Sequence, residues 1–298
     1  APSLHLSITV LLWAKYSAHL RGWPRAAIRA WFVLVGLSTL TTYQHHFIDL
    51  PTGIWVGLLC LAWMPDAGSP VQFSADRRSV PLASAYAAGS ALLGLGAVWF
   101  GGWAWWLLWP AGSLLIVVAA YAGGSPELLG KRAGRMDPSM AWLLAPYLGA
   151  AWLNSRIWTR GEPAANEIAE GVWLGRFPDR RDRNSYGSVL DLTAEICGSQ
   201  SGVIRGVPML DLLAPSAADV ETAVRAIAGL SEQRPTLVCC ALGYSRSATV
   251  IAAWLVDRDR SHTLDAAIAL VKQRRPQVRI GETHRARLKE WTSRRIKI

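Results

Sequence analysis

Cys240-Ala241-Leu242-Gly243-Tyr244-Ser245-Arg246-Ser247 stands between a strand-like run, Thr236–Cys239, and an apolar helical run, Ser245–Asp257. A loop in that setting can turn successive backbone N–H groups toward one point, while the following helix aims the positive end of its dipole there. The ligand favoured by such a point is a tetrahedral dianion. Gly243 permits the tight backbone path, and Arg246 can offer two parallel hydrogen bonds to phosphate oxygens. The same positive field favours the thiolate of Cys240. A nucleophile, a phosphate cradle formed by Ala241, Leu242, Gly243, Tyr244 and Ser245, and a charge clamp therefore coincide within eight residues.

Outward from this loop the pattern is α/β. Gly171–Leu174 and Ser188–Leu192 are short apolar runs of strand type, and Ala217–Ser231 has helical periodicity. Thr263–Arg274 places Leu264, Ala267, Ile268 and Val271 on one helical face and is stopped by Pro276. Arg160–Asn166 reads as a linker. Upstream the chain changes character. Residues 1–124 hold six of the 31 Lys and Arg and three of the 21 Asp and Glu, within a chain that is 51% hydrophobic. Apolar stretches at Leu6–Ala18, Ala26–Tyr43, Phe47–Met64, Leu82–Gly101 and Trp103–Ala122 approach the roughly 20 residues that span a bilayer. Trp103, Trp105, Trp106 and Trp109 crowd the start of the last, as at a membrane boundary. Met140–Leu153, broken by Pro146, reads as an interfacial helix.

The expected organisation is an α-helical polytopic membrane domain over 1–124, a juxtamembrane segment and linker over 125–165, and an α/β domain over 166–298. Lys15, Arg21, Arg25, Arg29, Arg77 and Arg78 lie in alternate loops, whereas Gln44–His46 and Gly101–Gly102 carry no Lys or Arg. The positive-inside tendency then makes the charged loops, and everything after five crossings, cytoplasmic. Cys60, Cys197, Cys239 and Cys240 show no metal-binding spacing, and a reducing compartment suits the downstream half. No metal or cofactor is expected. The net charge of +10 suits an anionic leaflet, and the chain lacks the repeated basic and aromatic pattern of a nucleic-acid binder. The chain opens at Ala1 inside what looks like a motif, and reads as N-terminally incomplete.

From Gly171 to Trp291 the chain resembles the dual-specificity branch of the protein tyrosine phosphatase superfamily. The resemblance is carried by Val172-Trp173-Leu174-Gly175, Val189-Leu190-Asp191-Leu192, the Cys-x5-Arg-Ser loop and Arg274-Arg275-Pro276. It implies Cys240 as phosphocysteine-forming nucleophile, Arg246 as phosphate ligand, and Ser247 as the group that stabilises the departing thiolate. Asp211, in Pro208-Met209-Leu210-Asp211-Leu212-Leu213, matches the family's general-acid loop. Asp219 competes for that role, but Ser216-Ala217-Ala218-Asp219 reads more simply as a helix cap. Where the family usually has His before the nucleophile, this chain has Cys239, which bears on activity.

A second constellation lies upstream, where Pro2-Ser3-Leu4-His5 opens one apolar segment and His45-His46-Phe47-Ile48-Asp49 closes the next. His45 and Asp49, four apart, share a helical face, so Asp49 can orient His45 as a nucleophile while His5 protonates a leaving group. These motifs resemble the type 2 phosphatidic acid phosphatase superfamily over about residues 1–65, nearest its inositol phosphorylceramide and sphingomyelin synthase branch. Thr39 stands where many members have Arg, and the family's first motif is absent.

Taken together, the expectation is a membrane-tethered phosphatase acting on phosphoprotein, with membrane lipids as neighbours and no nucleic-acid partner. The alternatives are a phosphatase for a phospholipid monoester resembling phosphatidylglycerophosphate, a non-catalytic phosphate-binding module regulating the membrane half, and a lipid phosphotransferase working through His5, His45 and Asp49.

Overall fold

The computed structural model describes residues 2–43, 45–46, 49–63, 79–132, 134–179, 182–198, 203–230, 235–259 and 263–296. Gln44, Phe47, Ile48, Met64, Arg77 and Arg78, which enter the topology and motif readings, lie outside the described residues. Along the chain run α1 Leu4–His19, α2 Trp23–Thr41, α3 Asp49–Trp63, α4 Val80–Phe100, a 3-10 turn Gly102–Leu107 and α5 Leu108–Gly123. A second 3-10 turn, Pro126–Leu129, precedes β1 Lys131–Arg132, β2 Arg135–Met136, α6 Pro138–Leu143 and α7 Ala145–Trp158. The α/β part follows with β3 Ala165–Ala169, β4 Val172–Arg176, β5 Ser188–Thr193, β6 Val203–Met209 and α8 Ala217–Leu230. It ends with β7 Thr236–Cys240, α9 Arg246–Arg258, α10 Leu264–Arg274 and α11 Glu282–Ile296.

These elements form two compact units, Ala1–Pro70 with Asp137–Leu143, and Val71–Met136 with Leu144–Ile298. In the first, α1 packs on α2 and α3, and α6 packs on α3. Helices α1 and α3 approach closely because α3 offers glycine at the crossing. A Cβ at Gly53 would stand 2.5 Å from the Ser3 carbonyl oxygen, and one at Gly57 2.8 Å from that of Ser7. The Ser7 hydroxyl uses the proximity to donate to the Gly53 carbonyl at 2.8 Å.

In the second unit the five-stranded sheet has the order β3-β4-β7-β5-β6. β7 lies at its centre, parallel to both β4 and β5, and every residue of β7 is buried. Strands buried on both faces read as unbroken apolar runs, which is why Thr236–Cys240 is legible as a strand. One core joins the sheet to α8, α9, α10 and α11 through Val224, Ile227, Ile251, Val271 and Leu288. Helix α9 is buried from Arg246 through Leu255, as befits the central helix of that layer. Cys239 belongs to a separate cluster with Phe177, Val189, Ile196 and Leu237. Consecutive residues of a strand point to opposite faces, so Cys239 and Cys240 serve different cores.

Two expectations about the middle of the chain are corrected. The patch Met140–Leu153 is not one interfacial helix: it is divided between α6 and α7, with Pro146 in the first turn of α7, and the two helices fall in different compact units. The segment 125–165, expected as a juxtamembrane segment and linker, does not stand apart either, because most of it is built into the unit that holds the sheet. Lys131, 2% exposed, forms a 2.6 Å ion pair with Asp191 of β5, and donates to the Thr193 hydroxyl and the Ile196 carbonyl, each at 2.6 Å. Among the described residues, two helices, Val80–Phe100 and Gly102–Gly123, are long and apolar enough to cross a membrane. Both belong to the second unit.

Candidate functional site

The loop after β7 owes its path to glycine and to anchors supplied from elsewhere in the unit. Gly243 has φ +74°, and a Cβ there would sit 2.4 Å from the Gly175 carbonyl carbon, so no side chain fits. Arg275, fully buried, donates from Nε to the Gly243 carbonyl at 3.1 Å, and from Nη1 to the Pro163 carbonyl at 3.1 Å and Asn166 Oδ1 at 2.6 Å. Ser245 Oγ donates to the Arg279 carbonyl at 2.8 Å, and the Arg279 N–H donates to the Tyr244 carbonyl at 2.9 Å. From α7, Ser155 Oγ donates to the Ala241 carbonyl at 2.6 Å. Tyr244 turns its hydroxyl toward Glu162, 2.7 Å away, and burial together with that hydrogen bond pushes its pKa up to about 12. Pro163 and Asn166, within the segment Arg160–Asn166 that reads as a linker, thus reach the loop through Arg275.

Cys240 is 3% exposed. Its Sγ receives the Gly243 N–H at 3.3 Å and lies 3.2 Å from Ser247 Oγ. The sulfur therefore has a backbone donor in Gly243 and shares a hydrogen bond with the Ser247 hydroxyl. Cys239, one residue back, is fully buried, and burial followed by the nearby Asp191 pushes its thiol well above the ordinary range.

Arg246 opens α9 and reaches across to the loops that follow β5 and β6. Glu195 takes both of its terminal nitrogens, Oε2 with Nη1 at 3.0 Å and Oε1 with Nη2 at 2.5 Å. Nη1 also donates to the Met209 carbonyl at 2.8 Å, and Nη2 to Asp211 Oδ1 at 2.8 Å. Burial opposes the charges of this cluster, but mutual attraction overrides it for two of them. Arg246 is held protonated by Asp211 and Glu195, and Glu195 is held below the usual carboxylate range by Arg246. For Asp211 burial wins over Arg246, and its pKa is raised, although a third of its side chain remains exposed.

Sequence-predicted site residues Cys240, Gly243 and Ser247 are thus joined by direct contacts, and Arg246 and Asp211 by an ion pair. Asp219 is a cap: its N–H donates to Ser216 Oγ at 3.1 Å and its carboxylate accepts the Ser216 N–H at 3.2 Å. Glu195, Lys131, Ser155 and Arg275 were not marked as site residues by their pattern. Glu195 carried one signal, an acidic residue just past the carboxyl end of a buried parallel strand, where ligand-binding groups of open α/β sheets gather. Tyr121 of α5 donates its hydroxyl to the Asp211 carbonyl at 3.1 Å, which ties α5 to the loop after β6.

A cleft of about 940 Å³ adjoins the loop. Its lining includes Asp211, Glu195, Ala241 and Tyr244, Pro110 and Leu114 of α5, and Ala150, Ala151 and Asn154 of α7.

In the first unit, His45 Nδ1 lies 3.3 Å from Asp49 Oδ2, and the His5 and His45 rings meet edge to face at 5.9 Å between centroids. The three residues singled out there are brought together. Thr39 is buried and turns its hydroxyl to the Gly36 carbonyl at 2.7 Å.

Residues 188–294 match the family described as dual specificity phosphatase, catalytic domain. The chain is similar to the crystal structure of Tk-PTP in the active form, at 27% identity, covering 44% of this chain and 98% of that one, with a TM-score of 0.41. It is similar to PTPMT1 in complex with PI(5)P at 20% identity, covering 45% and 98%, with a TM-score of 0.40. Human DUSP28 is similar at 24% identity, covering 45% and 96%, with a TM-score of 0.39. No curated protein matches the chain. The α/β half carries a dual-specificity phosphatase domain, preceded by a helical region.

Proposed function

We propose that this chain is a membrane-tethered phosphomonoester phosphatase that works through a phosphocysteine at Cys240. The observation that carries the reading is the convergence of the Gly243 N–H and the Ser247 hydroxyl on Cys240 Sγ, in a loop that ends at Arg246. In the first step the Cys240 thiolate attacks phosphorus and the bond to the leaving oxygen breaks, with Asp211 giving that oxygen its proton. Arg246 and the loop amides hold the three equatorial oxygens. In the second step water attacks the phosphocysteine, its proton passes to Asp211, and the S–P bond breaks with Ser247 donating to the departing thiolate. Burial raises the pKa of Asp211 from the ordinary carboxylate value, which is the direction a proton donor needs. A phosphorylated protein side chain and a lipid phosphate headgroup both present monoesters of this same chemistry.

The tether is the helical region, read as five crossings with the phosphatase domain cytoplasmic. Its support is the charge asymmetry of the loops and the two helices long and apolar enough to cross. A reporter fused after Ile298 is expected to behave as cytoplasmic, and extracytoplasmic behaviour would reverse this topology. Turnover itself is tested by phosphate release from p-nitrophenyl phosphate by the full chain in detergent. Absence of release would favour the non-catalytic phosphate-binding module.

A second reading, of the first unit, is favoured by the His45–Asp49 contact and the adjacent His5 ring: a phosphatidic acid phosphatase-like site for lipid phosphoryl transfer. Its test is lipid phosphate release that survives Cys240→Ser and is lost in His45→Ala.

A further inference from the structure

The cleft beside the cysteine loop joins two opposite chemistries. At one end stand Asp211, Glu195 and the loop residues Ala241 and Tyr244, where a phosphate and its leaving oxygen are handled. The lining also includes the apolar Pro110, Leu114, Pro146, Ala150 and Ala151, with Asn154 and Arg279 among its polar residues. The volume of about 940 Å³ far exceeds what a phosphoryl group fills, and lies at the upper end of the roughly 300–1,000 Å³ usual for sites that enclose small organic ligands.

The elements that form the apolar wall identify the occupant. Tyr86 lies on α4 and Pro110 and Leu114 on α5, the two helices long and apolar enough to cross a membrane. The outward side of the same helices exposes Leu92, Leu95, Val98, Trp99 and Leu115, which water would not favour. Leu212, adjacent to Asp211, adds a second observation. It is held at φ +60°, a conformation costly for a residue with a Cβ, and it lines the cleft with 70% of its surface exposed. An apolar side chain kept in such a backbone beside a proposed catalytic acid is suited to a hydrocarbon ligand.

We infer that the cleft binds the hydrocarbon part of a lipid phosphate monoester, with the phosphate in the Cys240–Arg246 loop and the chain between α5 and α7. The inference rests on the phosphatase reading above and specifies its substrate. Charge and apolar surface are then complementary along one molecule: the buried Arg246 and the loop amides meet the phosphate, and α5 and α7 meet the chain.

The test uses the full chain in detergent with monoalkyl phosphates from butyl to dodecyl, each below its micelle concentration, beside p-nitrophenyl phosphate and a phosphotyrosine peptide. The expected result is kcat/KM rising with chain length, by at most about fourfold per methylene buried, and levelling once the cleft is filled. Ala150→Trp is expected to cut the ratio of dodecyl to butyl kcat/KM at least tenfold. A flat series while p-nitrophenyl phosphate is turned over would overturn the lipid site and leave the phosphatase reading standing. A phosphotyrosine peptide hydrolysed more efficiently than dodecyl phosphate would overturn it in favour of a protein substrate. Failure to turn over any of the monoesters would remove the phosphatase reading, and this inference with it.

Discussion

Glu195 grips both terminal nitrogens of Arg246, at 2.5 and 3.0 Å, and neither side chain is more than 3% exposed. The contact fixes the guanidinium plane of the residue that opens α9, so in the proposed mechanism Glu195 serves to position Arg246. Removing one member of a buried pair leaves the other uncompensated.

Glu195→Ala is therefore expected to destabilise the chain by about 3–5 kcal/mol, and Glu195→Gln, which keeps the shape, by less. The pH dependence has a definite sign. Because the folded pKa of Glu195 is depressed, its stabilisation is complete above the ordinary carboxylate value of roughly 4.3 and is lost as pH falls through the lower folded value. Thermal unfolding as a function of pH should show the advantage of wild type over Glu195→Gln shrinking below about pH 4. An advantage that grows on acidification would contradict the assigned pair.

Asp211 responds in the other direction. Burial raises its pKa against the pull of Arg246, so it stays protonated to a higher pH than a free carboxyl. Asp211→Asn is expected to lower kcat on alkyl phosphates by about 10²–10⁴-fold, and less on p-nitrophenyl phosphate, whose leaving oxygen needs little help. The basic limb of the kcat profile should disappear in the variant. Equal losses on both substrates would argue against Asp211 as the proton donor.

The parts of the fold that could be read in the sequence are those whose burial is uniform. β4, β5, β7, α8, α9 and α10 are anticipated to within a few residues because their apolar runs are continuous or strictly periodic. β6 escapes because it is an edge strand, half exposed, and carries Gly206 and Pro208, which a central strand would not tolerate. α11 escapes because it buries chiefly Leu288 and Trp291 amid Arg285, Arg287, Lys289, Glu290, Arg294 and Arg295, leaving little periodic signal. In the site, Cys240, Arg246 and Ser247 are local to one loop and so legible together. Glu195, Lys131 and Ser155 reach the loop or its supporting strands through contacts 51, 62 and 86 residues apart in sequence, which no local pattern encodes.

Lys131 tests whether the segment before the sheet is integral to it. The Lys131–Asp191 pair is at most 2% exposed on either side, and Asp191 also accepts the Thr193 N–H at 2.9 Å. Lys131→Met alone is expected to cost about 3–5 kcal/mol, since Asp191 is left charged and buried. Adding Asp191→Asn should recover most of that loss by removing the stranded charge while keeping an acceptor for Thr193. Thermal unfolding of the single and double variants of the full chain measures the recovery. Independent, additive losses would mean that the two side chains do not form the pair described.

The two adjacent cysteines offer the sharpest test of mechanism. Alternation along β7 sends Cys239 into the cluster with Phe177, Val189 and Ile196, whereas Cys240 meets the Gly243 N–H and Ser247 Oγ. Burial also keeps Cys239 a neutral thiol far above the ordinary range, so it is a poor nucleophile even before access is considered. Cys240→Ser should abolish turnover, by roughly 10³-fold or more, because a serine hydroxyl at neutral pH supplies almost no anion for the attack. Cys239→Ser should retain a measurable fraction of activity, with a stability loss on the order of 1 kcal/mol for a hydroxyl in an apolar cluster. Arg246→Lys should be nearly as severe as Cys240→Ser, since a point charge cannot reproduce the planar two-pronged contact. The decisive measurement is trapping of an acid-quenched phosphoenzyme from labelled substrate, which should vanish in Cys240→Ser and persist in Cys239→Ser. Label retained in Cys240→Ser and lost in Cys239→Ser would move the nucleophile to the neighbouring residue, and with it the geometry on which Arg246 and Ser247 are assigned.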